Sequence, residues 1–276
     1  MDISKLKPDN KDYKDYVGLP SRYDFMGATQ FRLLCALGLR ANNTLLDFGC
    51  GSLRAGRLFI VYLNEGRYFG IEPNKWLIED AINDQIGKDL IRIKKPTFSY
   101  NDDFETKVFQ VQFDFILAHS IFSHARRDII GTTLRNFRDS LKAGGLIAAT
   151  FVEGIMDSDR NDWVYPGFVN YRPSTIQKIV EEAGLFAIRI PWYHPRQTWY
   201  ILARNSKFLP NDAMTHYLTG VVLFAPEFVE SWKTGIKKLN LFKKYIMQTA
   251  QFLPEPVKHF LKKMIRKGNR QLHSLY

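Results

Sequence analysis

Asp47, Gly49, Gly51 and Glu72 are the residues whose types and spacing first suggest chemistry. The stretch TLLDFGCGSLRAG, residues 44–56, is an apolar run that stops at an acid and two close glycines. Glycine lets the backbone approach a ligand and take unusual dihedrals. A dinucleotide-binding turn reads G-x-G-x-x-G, and Arg54 stands where its third glycine belongs. Asp47 puts a carboxylate where a pyrophosphate would be repelled, so the pattern favours a ligand carrying positive charge. Glu72 follows the glycines by about 20 residues, the interval at which nucleotide folds set an acid against ribose hydroxyls. His119 and His124 come next, and an imidazole titrates near neutrality, as a general base should.

Alternating strand and helix patterns must position these groups. TLLDFG reads as a buried strand, followed by a helix over 53–66 with apolar Leu58, Ile60, Val61 and Leu63. YFGIE is the next strand, and a helix with Pro73 near its start runs to about Gly87. A third short strand is expected around Leu90 to Ile93, a fourth in FDFILAHS and a fifth in LIAATF, with a glycine-stopped helix over 126–145 between the last two. PSTIQKIVEEAGL reads as a helix, and FAIRIPWY and TWYILAR as two β-rich runs joined by a short turn. Such alternation predicts an α/β fold, its mostly parallel sheet covered on both faces and closed by a terminal antiparallel hairpin. Ligands bind such sheets beyond the carboxyl ends of the strands, where His119 and His124 also fall.

LLDFGCGSLRAG resembles the first motif of class I S-adenosylmethionine (SAM) dependent methyltransferases. The resemblance implies a Rossmann-like seven-stranded sheet in which Gly49 and Gly51 admit the cofactor, Asp47 supports its amino-acid end and Glu72 takes its ribose. Leu53 replaces the third glycine often found in that family, which predicts a differently shaped loop. NDDFE, after the third strand, offers Asp102 or Asp103 to the adenine. FDFILAHSIFSHA and LKAGGLIAATF resemble the family's fourth and fifth strands, so the likeness spans roughly residues 25–205. The segment before the first strand, RYDFMGATQFRLLCALGLR, matches a helix that packs over the cofactor in this family. Tyr23, Met26 and Gln30 are its candidates for closing the pocket, while Phe31, Leu34 and Leu37 cover the sheet.

His119 and His124 are the candidate catalytic bases for methylation at oxygen, and a hydrogen-bonded structural histidine is the alternative for each. The segment over 152–173 exceeds the 2–6 residues usual for its kind of connection. It carries Glu153, Asp157, Asp159, Arg160, Trp163, Tyr165 and Tyr171 and reads as a lid. The turn PWYHPRQTW adds Trp192, Tyr193, His194 and Arg196 on the same edge. Trp163, Tyr165, Tyr171, Tyr193, His194 and Arg196 are therefore the candidate acceptor-binding residues, suited to a small polar molecule or a glycan. A nucleic-acid methyltransferase of the exocyclic-amine type would carry Asn or Asp, then Pro-Pro-aromatic, after the fourth strand; AHSIF stands there instead. The rival reading from another class is a SAM-binding scaffold without turnover. The six His and two Cys show no zinc-type spacing, so no metal is expected.

The net charge of +11 on 276 residues is concentrated at one end. Eleven Lys or Arg and a single acid, Glu255, fall between Lys233 and Arg270, leaving the rest of the chain close to neutral and unsuited to tracking phosphates. Val257, Phe260, Leu261, Met264 and Ile265 are spaced as one helical face, with Lys258, Lys262, Lys263, Arg266 and Lys267 on the others. Trp232, Ile236, Leu239, Phe242 and Ile246 repeat the pattern upstream. Residues 206–276 thus read as a basic amphipathic helical extension that docks on the core, on another subunit or on an anionic membrane surface, with nucleic-acid contact the least favoured alternative. Residues 1–40 read as an N-terminal segment and covering helix, and 41–205 as the SAM-binding core. The polar start predicts a cytoplasmic protein, peripheral on the inner face of the membrane if its tail binds lipid. Cys35 and Cys50 lie on separate elements and read as buried thiols.

Overall fold

A computed structural model describes residues 12–159 and 163–218. The chain divides between Val221 and Val222, and every described residue lies on the N-terminal side. Residues 219–276 of the basic extension expected over 206–276, and Arg160 of the lid, lie outside the described residues.

The elements run in the order α1 (Tyr13–Tyr16), α2 (Tyr23–Ala36), β1 (Leu45–Phe48), α3 (Gly56–Tyr62), β2 (Tyr68–Ile71), α4 (Lys75–Ala81), α5 (Lys88–Lys94), β3 (Thr97–Ser99), β4 (Phe113–Ala118), α6 (Arg127–Ser140), β5 (Leu141–Phe151), α7 (Pro173–Glu182), β6 (Phe186–Ile190), β7 (Thr198–Ala203) and α8 (Asp212–Tyr217). One seven-stranded sheet in the order β3-β2-β1-β4-β5-β7-β6 results. Its first five strands pair in parallel, while β7 runs antiparallel between β5 and β6. This is the mostly parallel sheet with a closing hairpin that the alternation predicts.

Strands β1 and β2 are buried along their whole length, as near-continuous apolar runs must be when helices cover both faces. Leu33 and Leu34 of α2 join the core on one face, and Ile130, Leu134 and Phe137 of α6 the core on the other. Leu218 is buried in the first of these cores and Leu209 packs against it, so the chain beyond residue 205 first continues on the domain.

The third strand is not where periodicity places it. Residues 88–94 form α5, with Leu90 and Ile91 packed on the core, and β3 is the three-residue run at 97–99. The alternation of apolar and charged residues in KDLIRIK fits a short strand and one helical face equally well, and packing decides for the helix. The glycine stop expected near 145 is also displaced: α6 ends at Ser140, and the chain enters β5 directly. Gly144 and Gly145 lie inside β5, where its register against β4 shifts and a Cβ on Gly145 would lie 2.9 Å from the Asp114 carbonyl oxygen.

Candidate functional site

Beyond the carboxyl ends of β1, β2 and β4 lies a cavity of about 710 Å³, within the size range of small-molecule sites. The turn after β1 forms its floor. Gly49 and Gly51 hold φ of +71° and +53°, and a Cβ at Gly49 would lie 2.0 Å from Ile121 Cδ1. Leu53 takes φ +54°, so the third position keeps a glycine-like conformation although its residue is not glycine. The left-handed region costs a non-glycine residue about 1–2 kcal/mol. Leu53 is fully buried, which returns about 2 kcal/mol and offsets that strain.

Asp47 lies on β1 with 4% of its surface exposed, and accepts a 2.8 Å hydrogen bond from Tyr68 Oη on β2. Burial raises its pKa to about 7, against the opposing pull of Tyr68 and Arg54. Glu72 follows β2 and is also buried, and burial raises its pKa too. It accepts from Gly51 N at 3.1 Å, and from Asn74 N and Nδ2, both at 2.9 Å. A carboxylate has about four lone-pair sites, so one remains open on Glu72. Asn74 Oδ1 lies beside it, buried and without a partner among the described residues. Of the two acids after β3, Asp102 lines the cavity, whereas Asp103 accepts from Asn101 Nδ2 and Glu105 N and shapes its own turn.

The two imidazoles differ in the lone pair they present. His119 Nδ1 lies 3.1 Å from Arg54 Nη2, and a guanidinium only donates, so Nδ1 accepts and the proton sits on Nε2. That Nε2 is buried without a partner among the described residues. Burial, with Arg54 and His194, holds His119 well below the ordinary histidine range, so the ring is neutral and its acceptor nitrogen is occupied. His124 is the reverse case. Its Nδ1 lies 2.5 Å from the Gly167 carbonyl, which only accepts, so Nδ1 carries the proton and the lone pair is on Nε2. Trp163 and Tyr165 hold this ring in place, with centroids 5.7 and 5.1 Å away.

The roof comes from both ends of the domain. Tyr16 stacks on Tyr165 at 5.3 Å between centroids, and Tyr165 Oη donates to the Tyr16 carbonyl at 2.5 Å. Gln30, Trp163, Tyr165 and Arg196 line the cavity as their sequence positions suggest. Several other candidates face elsewhere. Tyr23 donates to the Ser52 carbonyl at 2.7 Å and braces the glycine turn from outside, and Met26 is buried away from the cavity. Tyr171 is buried with its hydroxyl on the Ala125 carbonyl. Tyr193 packs edge-on against Phe25, and Trp192 donates to the Thr29 carbonyl. His194 accepts from Arg196 N and Gln197 N, which orders its turn behind the cavity wall, and burial lowers its pKa to about 3. Among the described residues no three His, Cys, Asp or Glu side chains converge as a metal-binding set.

Residues 46–147 match the model of a family described as a methyltransferase domain, a span that contains the glycine turn, Asp47, Glu72 and both imidazoles. Over that span the chain carries a methyltransferase domain. Solved structures similar to it include magnesium protoporphyrin IX methyltransferase from Synechocystis PCC 6803 with bound SAM, 11% identical over 74% of this chain and 88% of that one, TM-score 0.51. The mitomycin 7-O-methyltransferase MmcR is 16% identical over 66% of this chain and 54% of that one, TM-score 0.51. The glycopeptide N-methyltransferase MtfA is 10% identical over 65% and 90%, TM-score 0.51. At these identities the likeness speaks to the fold. No curated protein matches the sequence.

Four lining groups of this methyltransferase are missing from the candidates read off the sequence: Tyr16, Arg54, Asn74 and Gln197. Arg54 donates from Nη1 to the Val17 carbonyl at 2.8 Å as well as to His119. Gln197 donates from Nε2 to Ser120 Oγ at 2.9 Å, leaving its buried Oε1 without a partner among the described residues. Arg54 had a signal of a kind, since it breaks the dinucleotide pattern of the glycine turn. The other three are single polar or aromatic residues whose role follows only from the packing around them.

Proposed function

We propose that this methyltransferase uses SAM to methylate a small-molecule or glycan-type acceptor at oxygen, with His124 as general base. One observation carries the reading: Arg54 Nε, Asn74 Oδ1, His119 Nε2, Trp163 Nε1 and Gln197 Oε1 all belong to cavity-lining residues, and all are buried without partners among the described residues. Native proteins pair almost all such atoms, so a cluster of exceptions around one cavity marks where a polar ligand sits. The donor set suits SAM. Glu72 and Asn74 Oδ1 together accept two adjacent ribose hydroxyls, Asp102 and Asn101 border the far end for adenine, and Asp47 supplies negative charge for the amino-acid end.

Bound SAM supplies an electrophilic methyl group on a cationic sulfur, whose departure as a neutral thioether needs no acid. The chain's own task is therefore alignment and removal of one proton. His124 Nε2 accepts the acceptor hydroxyl's proton as the new O–C bond forms, while the Gly167 carbonyl stabilises the charged ring through Nδ1–H. Trp163, Tyr165 and Phe168 present aromatic faces to the acceptor, with Arg196 and Gln197 as polar contacts. The fold itself serves both kinds of acceptor atom, since a mitomycin 7-O-methyltransferase and a glycopeptide N-methyltransferase share it. Incubation with methyl-labelled SAM and fractionated metabolites tests the reading. Label enters a small-molecule fraction with the natural chain and not with Asp47→Ala; SAM binding with no transfer to any fraction would point to a scaffold.

The charge pattern of residues 232–270 supports a peripheral association with an anionic membrane surface, each basic residue near the lipid adding about 1 kcal/mol. Among the described residues no helix is long and apolar enough to cross a membrane. The full chain is expected to float with anionic vesicles while a chain ending at Pro226 does not, and equal recovery of both would remove this proposal.

A further inference from the structure

Among the described residues Arg54 is a cation without a counter-ion. Its Nε is buried and unpartnered, and among the described residues it forms no ion pair within 4.0 Å. Asp47 lies near enough for each group to shift the other's pKa, yet the two do not pair. A half-buried charge left this way is costly to keep, and function is the usual reason for keeping one. The guanidinium has five N–H groups, and two are engaged, by the Val17 carbonyl and His119 Nδ1. The others belong to a side chain that lines the cavity between Asp47 and His119.

Resting on the SAM reading, we propose that Arg54 receives the carboxylate of the cofactor's amino-acid end while Asp47 faces its ammonium. The amino-acid end is a zwitterion, and this wall offers the complementary zwitterion, an unpaired carboxylate and an unpaired guanidinium side by side. Each ligand charge then completes one protein charge. A structural strap between Val17 and His119 would use the same two hydrogen bonds, but would gain nothing from a charge that neither neutral acceptor needs.

Calorimetry with two probes separates the roles. S-adenosylhomocysteine carries the carboxylate; decarboxylated SAM keeps the nucleoside, sulfur and amine but lacks it. Arg54→Gln is expected to weaken S-adenosylhomocysteine by about 10- to 100-fold, the scale of a lost charge-assisted hydrogen bond, and to leave decarboxylated SAM within about threefold of the natural protein. Arg54→Lys should recover part of the loss. Equal weakening of both probes would show Arg54 to be only a strap, and no weakening of either would overturn the assignment outright. Failure of the natural protein to bind either probe would instead sink the SAM reading on which the inference rests.

Discussion

Replacing His124 with Gln is expected to lower kcat by about 10²-fold or more, the usual contribution of a positioned general base, with a much smaller change in KM. Gln puts an amide where Nε2 stood and so offers no basic nitrogen there. Burial lowers the pKa of His124 from its ordinary value, with Arg196 acting in the same direction and Gly167 against it. The base works unprotonated, so activity of the natural enzyme falls as pH drops through that lowered pKa, placing the acid limb below about 6.5. The variant should lose that limb along with the rate. His119→Gln should keep it, since the lone pair of His119 is already committed to Arg54. An unchanged kcat in His124→Gln would reassign the proton acceptor.

Asp47→Asn should move affinity and stability in opposite directions. The unfolded carboxylate ionises near pH 4, but the folded one only at about 7. Between those values the native state holds a proton that the unfolded chain has released, so stability falls as pH rises through this window and stays at the lower level above it. Asn removes that ionisation cost but leaves one buried N–H to satisfy, for a net gain of about 2 kcal/mol at pH 8 and a Tm rise of about 5 °C. The same change removes the charge proposed to face the cofactor's ammonium. S-adenosylhomocysteine affinity of the natural protein should therefore climb between pH 5.5 and 7.5 as Asp47 ionises, and the Asn variant should bind about tenfold more weakly at pH 7.5 with a flat profile. A variant both less stable and equally tight would contradict the assigned role.

The architecture was legible because buried parallel strands leave long apolar runs, and β1, β2, β4 and β5 each left one. Strand β3 was not: three residues at a sheet edge, with mixed burial, leave almost no pattern. Within the site, Asp47 and Glu72 could be read from their distance to the glycines, because strand ends fix them in the sequence as well as in space. The acceptor side was less legible. An aromatic residue in a loop looks the same whether it lines a cavity, as Tyr165 does, or fills a core, as Tyr171 does. Nor does composition reveal a histidine's tautomer, so His119 and His124 look equivalent until Arg54 and the Gly167 carbonyl are seen beside them. Tyr16 lies in a stretch so polar that nothing marks its ring as part of a roof.

The contact between Tyr16 and Tyr165 joins positions 149 residues apart. Contacts of such separation carry a large loop-closure cost and tend to form late in folding. A chain still emerging from the ribosome can lay down β1, the glycine turn and the Tyr16 half of the roof early, but lacks the Tyr165 half until the segment after β5 has been made. Closure of the cavity is thereby tied to completion of the domain, and chains ending before Tyr165 lack one half of its roof.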